Sequence, residues 1–289
     1  MAILETEELT YTYSVGTPFE KTAVDHVNLR IEANTMVGVI GHTGSGKSTL
    51  MQHFNGLLRP TSGKIKLDGK DIWASKKELR SVRFRVGLVF QYPEYQLFEE
   101  TVFRDIAFGP KNMGLGDDEI KSRVLATADA IGLDRALLDR SPFALSGGQK
   151  RRAAIAGVMA MRPEILILDE PTAGLDPKGR DKLLQQICNY QKTTQSTVLL
   201  VSHSMEDVAA YTDKLLVMDH GKLFCYEETA SVFRKAEALS GMGLRVPQIT
   251  SVMTALRKKG YPIPEDIYTV EQARDALLPL LRKGGDAVC

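Results

Sequence analysis

The sequence predicts an α/β fold in which helices wrap a parallel sheet. Short apolar runs at residues 36–40, 165–168 and 197–201 are each followed by polar residues, as the buried strands of such a sheet are. A stretch with helical spacing separates the last two runs. The first run leads through a glycine-rich loop into another helical stretch, and this alternation of strand and helix is what defines the fold class.

Length and composition limit the possible organisation. The chain has 289 residues, 43% of them hydrophobic, which predicts one large core and an appendage. Its 37 Lys and Arg residues nearly balance its 36 Asp and Glu residues, so no basic field favours nucleic acid as a partner. Cys188, Cys225 and Cys289 fit neither a disulfide framework nor a zinc site. Because the apolar runs are far shorter than a membrane span of about 20 residues, any membrane role is expected to depend on a partner.

The first third of the chain predicts an antiparallel layer and then the start of the parallel sheet. Residues 10–13 and 27–31 alternate as strands do, with a turn at residues 16–18 between them. Further strands are predicted at residues 36–40, 64–67 and 86–90, and the first helix is predicted to carry Leu50, Met51, Phe54, Leu57 and Leu58.

Two more regions are predicted to be helical. Prolines and short amphipathic pieces follow residue 92, with Thr101 placed to cap a helix, which predicts a helical subdomain over about residues 92–160. After residue 228 the pattern is helical only, and Thr269 with Gln272 forms a possible capping box. We therefore divide the chain into residues 1–228, which carry the sheet, and a C-terminal helical extension, residues 229–289.

The glycine-rich loop predicts nucleotide binding. In a G-x-x-x-x-G-K-S loop, backbone N–H groups surround phosphate oxygens, the lysine reaches the β- and γ-phosphates and the serine offers a hydroxyl to Mg²⁺. Chance matches are rare in a chain of this length, so an ordinary glycine turn is disfavoured. The predicted nucleotide-binding residues of the loop are Gly41, His42, Thr43, Gly44, Ser45, Gly46, Lys47, Ser48 and Thr49, with Ser48 also a Mg²⁺ ligand.

Polar residues at the ends of the later strands are the catalytic candidates. Asp169 is predicted to anchor Mg²⁺ through water, and Glu170 to act as the base for the attacking water. An Asp-Glu pair alone is more often a solvated turn, but its place at a strand end favours catalysis. His203 is predicted to stabilise the γ-phosphate or the water at the same edge. Gln91 is predicted to contact the nucleotide and the Mg²⁺ and to report their presence to the helical subdomain.

A second phosphate-handling motif begins at Leu145. Ser146 is placed to cap a helix whose N-terminal N–H groups and dipole form an anion site. Alone, the motif fits an ordinary capped helix equally well, but beside a phosphate loop it predicts contacts with the γ-phosphate. The residues predicted to make them are Ser146, Gly147, Gly148 and Gln149.

Adenine stacking is assigned to Tyr13, with Tyr11 as the alternative. Both lie on the predicted strand at residues 10–13. An aromatic side chain on an edge strand usually serves packing, so this is the least specific of the site predictions.

Taken together, the motifs resemble those of the ABC transporter ATPases over about residues 5–228. The resemblance identifies the Walker A motif at 41–49, the Q-loop at Gln91, the signature at 145–149, the Walker B motif at 165–170, the D-loop at Asp176 and the switch histidine at His203. It implies ATP and Mg²⁺ as ligands. It also implies a head-to-tail dimer in which each ATP lies between the Walker A motif of one subunit and the signature of the other. No catalytic position departs from the family pattern, so hydrolysis is expected.

A narrower resemblance is to the energy-coupling factor transporters, importers of vitamins and trace metals. It lies in residues 91–98, 101–102 and 107–110, and in residues 145–152, 154–157 and 171–180, which are most like the second of the two paralogous ATPase subunits. Residues from Val246 onward are similar to the C-terminal helical extension of these subunits. The resemblance implies a heterodimer with the paralogous ATPase subunit, to which the C-terminal extension contributes. A transmembrane coupling subunit would dock near the Q-loop, and a small membrane subunit would bind the substrate. The expected location is the cytoplasmic face of the cell membrane.

There are three alternatives, one within transport and two of a different class. An ordinary ABC importer is the main one, and residues 229–289 distinguish it because a regulatory extension would look different. A soluble ABC ATPase acting on nucleic acid is disfavoured, since the sequence lacks long coiled coils, zinc-binding cysteines and a second cassette. A P-loop small-molecule kinase would leave Ser146, Asp176 and His203 without a role. Nucleic acid is therefore not an expected partner.

Overall fold

The computed structural model describes residues 2–285. Cys289 and the last positions of the predicted extension, residues 286–289, lie outside the described residues. None of the helices within residues 2–285 combines the length and the apolar character that crossing a membrane requires.

The strands form two sheets. They are β1 (Ala2–Tyr13), β2 (Lys21–Glu32), β3 (Met36–Ile40), β4 (Ser62–Leu67), β5 (Lys70–Asp71), β6 (Val86–Val89), β7 (Ile165–Asp169), β8 (Thr197–Val201), β9 (Lys214–Asp219) and β10 (Lys222–Glu228). One sheet is antiparallel, in the order β2-β1-β4-β5. The other has the order β10-β9-β3-β8-β7-β6 and is parallel except for β10 at its edge. The predicted mixed core sheet and antiparallel layer are confirmed.

The helices follow in chain order. They are α1 (Lys47–Phe54), α2 (Lys76–Arg85), α3 (Val102–Asn112), α4 (Asp117–Ala130), α5 (Gly147–Met159), α6 (Pro177–Thr194), α7 (Met205–Tyr211), α8 (Thr229–Arg234), α9 (Ala236–Gly241), α10 (Gln248–Lys258) and α11 (Val270–Gly285). Single 3-10 turns lie at Pro93–Gln96, Arg135–Leu137 and Pro142–Ala144. The predicted helical region therefore contains α3, α4 and α5, and Thr101 caps α3 as expected by accepting a hydrogen bond from the Arg104 N–H.

The register of the parallel strands places their carboxyl ends at one edge. Val201 lies opposite both Val39 and Asp169, and Val89 lies opposite Leu168. Strands β3, β7 and β8 are buried along their whole length, because helices cover one face and the antiparallel sheet covers the other. Residues that directly follow β3, β6, β7 and β8 are thereby brought together, as expected of an open parallel sheet.

The structure differs from the sequence prediction at several elements. Helix α1 ends at Phe54, before Leu57 and Leu58, because Gly56 takes a left-handed φ of 68° that ends the helix. The β9–β10 hairpin and α2 were not predicted. Strand β6 is one residue shorter than expected and ends at Val89.

The C-terminal helices make two kinds of contact. Val232 and Phe233 of α8 pack in one cluster with Leu215 and Val217 of β9, so the start of the predicted extension rests on the sheet. Helices α10 and α11 enclose a separate small cluster around Met253. The predicted capping box forms: the Gln272 side chain accepts from the Thr269 N–H at 3.0 Å, and the Thr269 hydroxyl accepts from the Gln272 N–H at 3.3 Å. The division at residue 228 stays a prediction.

Candidate active site

The phosphate loop lies between β3 and α1, and two of its glycines explain its path. A Cβ at Gly41 would lie 2.4 Å from the Met218 carbonyl oxygen. At Gly46, a Cβ would lie 2.2 Å from the Ala23 carbonyl oxygen, and its φ of 101° is left-handed. The loop can therefore lie directly against the backbones of β2 and β9 only with glycine at these positions.

The loop curls around the ammonium group of Lys47. Its Nζ donates to the carbonyl oxygens of Gly41 at 2.7 Å and His42 at 3.0 Å, and the residue is buried. Burial lowers the pKa of this ammonium, and the Glu170 and Asp169 carboxylates partly offset that effect. A cation desolvated in this way interacts strongly with any anion that enters the loop.

Two carboxylates stand at the end of β7. Asp169 is buried, and burial raises the pKa of its carboxyl, with the Ser48 hydroxyl and the Lys47 charge acting in the opposite direction. Glu170 follows in a left-handed conformation with φ 51°. This conformation is uncommon for a residue with a side chain, and such strain persists where the surroundings fix the residue. Here the Glu170 N–H is fixed by a 3.0 Å hydrogen bond to the carbonyl of Val201.

Glu170 is the centre of a polar cluster. Its Oε1 lies 2.7 Å from Nε2 of His203, and its Oε2 accepts a hydrogen bond from the Gln91 side chain at 3.1 Å. The three side chains come from the ends of β7, β8 and β6, so the predicted meeting at one sheet edge is observed. His203 is half exposed and Glu170 mostly buried, which leaves one side of the cluster open to solvent.

The signature residues form the exposed start of α5. Ser146 accepts from the Gln149 N–H at 3.4 Å, and the Gln149 side chain accepts from the Ser146 N–H at 2.9 Å, so both halves of a capping box are present. Ser146 and Gly147 are exposed, and Gly148 and Gln149 are half-buried. Among the described residues, no hydrogen bond or ion pair joins these four to the phosphate loop. In this chain the two phosphate-handling motifs are separate.

The remaining predicted residues have these places. Asp176 is exposed and caps α6, where its carboxylate accepts from the Gly179 N–H at 2.8 Å. Tyr13 is exposed, with its hydroxyl 3.2 Å from that of Thr49. Tyr11 packs edge-on against the ring of the buried His53 at 4.7 Å. The two tyrosine rings also meet edge to face at 4.7 Å, and Tyr13 is the more exposed of the two and the one whose hydroxyl reaches the loop.

Sequence reasoning missed one prominent pair. Arg151, on α5, makes a two-pronged ion pair with Glu94 at 3.0 and 2.7 Å, and it also donates to the carbonyl oxygens of Pro171 and Ala173. Both side chains are largely buried. Burial raises the pKa of the Glu94 carboxyl, but the hydrogen bonds and charge of Arg151 lower it further, so the pKa lies below its ordinary value. The bridge joins the segment after Gln91, the signature helix and the loop after Glu170, and no sequence pattern marks a contact over this separation.

Known proteins resemble this chain over most of its length. Residues 24–173 match the family described as ABC transporter. The chain is 53% identical over 279 residues to the energy-coupling factor transporter ATP-binding protein EcfA2 of Caldanaerobacter subterraneus subsp. tengcongensis, covering 96% of this chain and 98% of the relative. It is 54% identical over 278 residues to that of Clostridium tetani, covering 96% of each.

Solved structures of ABC transporter ATP-binding proteins also align with this chain. Clostridium perfringens cbiO1, part of the ABC transporter complex cbiONQ, aligns with a TM-score of 0.74 and 40% identity over 88% of this chain and 99% of that one. The ATP-binding cassette MJ0796, as a dimer bound to ADP and Pi after hydrolysis, aligns with a TM-score of 0.71 and 27% identity over 78% of this chain and 98% of that one.

Proposed function

The chain belongs to the ATP-binding subunits of energy-coupling factor transporters, within the ABC transporter family, and from that premise we propose how its residues hydrolyse ATP and drive transport. One observation carries the proposal: the phosphate loop, Asp169, Glu170, Gln91 and His203 lie at the same edge of the parallel sheet. This is the edge at which open α/β sheets bind their ligands.

The phosphate loop fits the triphosphate of ATP. The buried Ser45 hydroxyl has no hydrogen-bond partner within the described residues, and Lys47 is held only by backbone carbonyls, which a phosphate oxygen would replace as a stronger partner. Tyr13 would stack on the adenine. The residues proposed to surround the phosphates are Gly41, His42, Thr43, Gly44, Ser45, Gly46, Lys47, Ser48 and Thr49.

The donor set also fits Mg²⁺. The Ser48 hydroxyl and the Asp169 carboxylate interact with each other, and both offer oxygen atoms, the ligands that Mg²⁺ prefers. Asp169 would contact the ion through a water molecule. Gln91 is the third proposed ligand. When bound, the ion neutralises charge on the β- and γ-phosphates.

Glu170 is the proposed base. Its carboxylate is held at both oxygens, by His203 and by Gln91, so its direction is fixed before a water approaches from the open side. His203 would hold the γ-phosphate or the water in place. Because Gln91 begins the segment that Glu94 and Arg151 tie to the signature helix, its contact with Glu170 links the site to the helical region.

The signature is proposed to complete the site of a partner rather than its own. Its exposed residues, Ser146 and Gly147, are separate from the phosphate loop of the same chain, as a head-to-tail dimer requires. The proposed partner is the paralogous ATPase subunit. Exposed apolar side chains on and beside α10 and α11, including Val252, Val270 and Leu281, support a role for the extension in this pairing.

Ser146→Arg is expected to impair the partner's ATP site and to spare this chain's own. A large cation at the exposed helix start would block the approach of the γ-phosphate bound to the other subunit. In the assembled heterodimer, photolabelling by azido-ATP should persist on this chain, while total hydrolysis falls. Ser141→Arg is the matched control, since Ser141 lies nearby and is likewise a capping serine, at the start of the 3-10 turn Pro142–Ala144. Loss of label from this chain alone would contradict the head-to-tail arrangement.

A groove beside the Q-loop is the proposed docking place of the transmembrane coupling subunit. It lies between residues 96–98, α3 and α5, and the exposed rings of Phe98 and Phe108 meet edge to face at 5.0 Å on its rim. Asp105 fixes this rim, because its carboxylate accepts from the N–H groups of Phe98 and Glu99, each at 3.2 Å. Movement of the segment after Gln91 would thus reach the membrane subunit.

Phe108→Ser is expected to weaken binding of the coupling subunit by roughly thirtyfold, because truncating an aromatic anchor of an interface costs about 2 kcal/mol. Hydrolysis by the heterodimer without membrane subunits should be unchanged. Phe224→Ser is the control, since Phe224 is equally exposed, at 43% against 44%, but lies on β10. The measurement is the affinity of each variant for the purified coupling subunit in detergent. Equal affinities of the two variants would refute the proposed docking place.

Co-purification tests the assembly as a whole. The chain, tagged and expressed in its native cells, should be recovered from detergent-extracted membranes with a paralogous ATPase, a multi-span protein and a small, very apolar subunit. That small subunit would identify the substrate. Recovery only from the soluble fraction would overturn the proposed place at the cytoplasmic face of the membrane.

A further inference from the structure

Two histidines and an aspartate meet beside the phosphate loop. His42 belongs to the loop, while Asp219 is the last residue of β9 and His220 begins the turn to β10. Oδ1 of Asp219 lies 3.2 Å from Nε2 of His42 and 2.7 Å from Nδ1 of His220. The centroids of the two imidazole rings are 4.5 Å apart. The three donor atoms lie within 4.8 Å of one another. His42 is one of the residues proposed to surround the phosphates, but the Asp219 and His220 side chains have no role in the hydrolysis described above.

The hydrogen bonds of His42 set its tautomer. Its Nδ1 lies 2.9 Å from the carbonyl oxygen of Thr43, which can only accept, so Nδ1 carries the proton. Nε2 accepts a long 3.4 Å hydrogen bond from the His220 backbone N–H, which also requires an unprotonated nitrogen. In the neutral ring, the Nε2 lone pair and the Asp219 carboxylate oxygen therefore face each other, and a cation between them would remove that repulsion.

We propose that His42 Nε2, Asp219 Oδ1 and His220 Nδ1 bind a divalent transition-metal ion of the zinc type. Two imidazole nitrogens and one carboxylate oxygen suit this class of ion, whereas Mg²⁺ prefers oxygen. The hydrogen bond from His42 Nδ1 to a backbone carbonyl is the usual support for a metal-ligating histidine. His220 would carry its proton on the exposed Nε2 instead of Nδ1.

Such an ion would fasten the phosphate loop to the β9–β10 turn. The His42 carbonyl holds the Lys47 ammonium, and the Gly221 N–H donates to the Ser45 carbonyl at 3.0 Å, so the turn already supports the loop. Coordination adds a bond between side chains to these backbone contacts. The bound loop is therefore expected to be more resistant to proteolysis and heat than the free loop.

The test is a calorimetric titration of the full chain, stripped with EDTA and dialysed, with ZnCl₂ in the presence of Mg²⁺. One Zn²⁺ ion per chain is expected at this site, and His220→Asn should weaken it by at least tenfold. Asparagine suits the left-handed φ of 46° at this position, so the turn is retained. Co²⁺ in place of Zn²⁺ should give the absorption of a four-coordinate ion, and the variant should lose it.

His26→Asn is the matched control. His26 also has a left-handed φ, of 49°, and its Nδ1 also contacts the preceding aspartate, Asp25, but within residues 2–285 no second imidazole faces that pair. The control should bind Zn²⁺ like the unaltered chain. Equal Zn²⁺ affinity of His220→Asn and the unaltered chain, or no binding by either, would overturn the proposed site and leave the cluster as an ordinary His–Asp ion pair.

Discussion

Glu170→Gln is expected to lower the rate of ATP hydrolysis by about 10²- to 10⁴-fold, the range that general-base catalysis supplies. Glutamine keeps the size of the side chain and the left-handed backbone of residue 170, but it cannot take a proton from water. Phosphate release by the assembled heterodimer, with the same substitution in the partner, measures the effect. ATP-driven closure of the dimer should persist, because the phosphate loop and the signature are unaltered.

Glu164→Gln provides the comparison for that experiment. Glu164 directly precedes β7 and so lies at the opposite edge of the sheet, where it pairs with Arg85. Its replacement should leave the rate of hydrolysis near that of the unaltered protein. Hydrolysis by Glu170→Gln within a factor of a few of the unaltered rate would mean that another group activates the water.

The meeting of Glu170 with Gln91 and His203 could be predicted because it depends on local signals and one topological rule. Each residue follows a short apolar run, and parallel strands bring their carboxyl ends to one edge. The helix cap at Ser146 could be predicted equally well, since it needs only neighbouring residues, and the structure adds the reciprocal hydrogen bond of the Gln149 side chain. The sequence therefore predicts the functional residues of this site that directly follow a strand or begin a helix.

Other features depend on contacts that have no local signature. The apolar residues of β9 are followed by His220 and Gly221, a turn signal, yet nothing in the sequence says that β9 pairs beside β3. The cluster of His42 with Asp219 exists only because of that pairing. For helix α1 the sequence predicted too much. The apolar spacing continues to Leu58, but the left-handed Gly56 ends the helix before that residue. Periodicity reports which face is apolar but not where the backbone turns.

The bridge between Arg151 and Glu94 is the clearest of these long-range contacts, and its removal has the second largest expected effect. Arg151→Met is expected to destabilise the chain by about 3–5 kcal/mol, because it leaves a buried carboxylate and two backbone carbonyls without their partner. The melting temperature should fall by roughly 10 °C. Thermal unfolding of the purified chain measures it.

A second substitution separates charge from packing. In Arg151→Met combined with Glu94→Leu, no unpaired charge remains at the bridge, so the double variant should be more stable than Arg151→Met alone. It should stay below the unaltered chain, because the carbonyls of Pro171 and Ala173 still lack a donor. Arg135→Met is the control: the pair of Arg135 with Asp129 has the same two-pronged geometry but is exposed, and its loss should leave the melting temperature unchanged. If Arg151→Met melts like Arg135→Met, the bridge does not hold the signature helix to the segment after Gln91. The route proposed here from Glu170 to the membrane subunit would then lack its physical link.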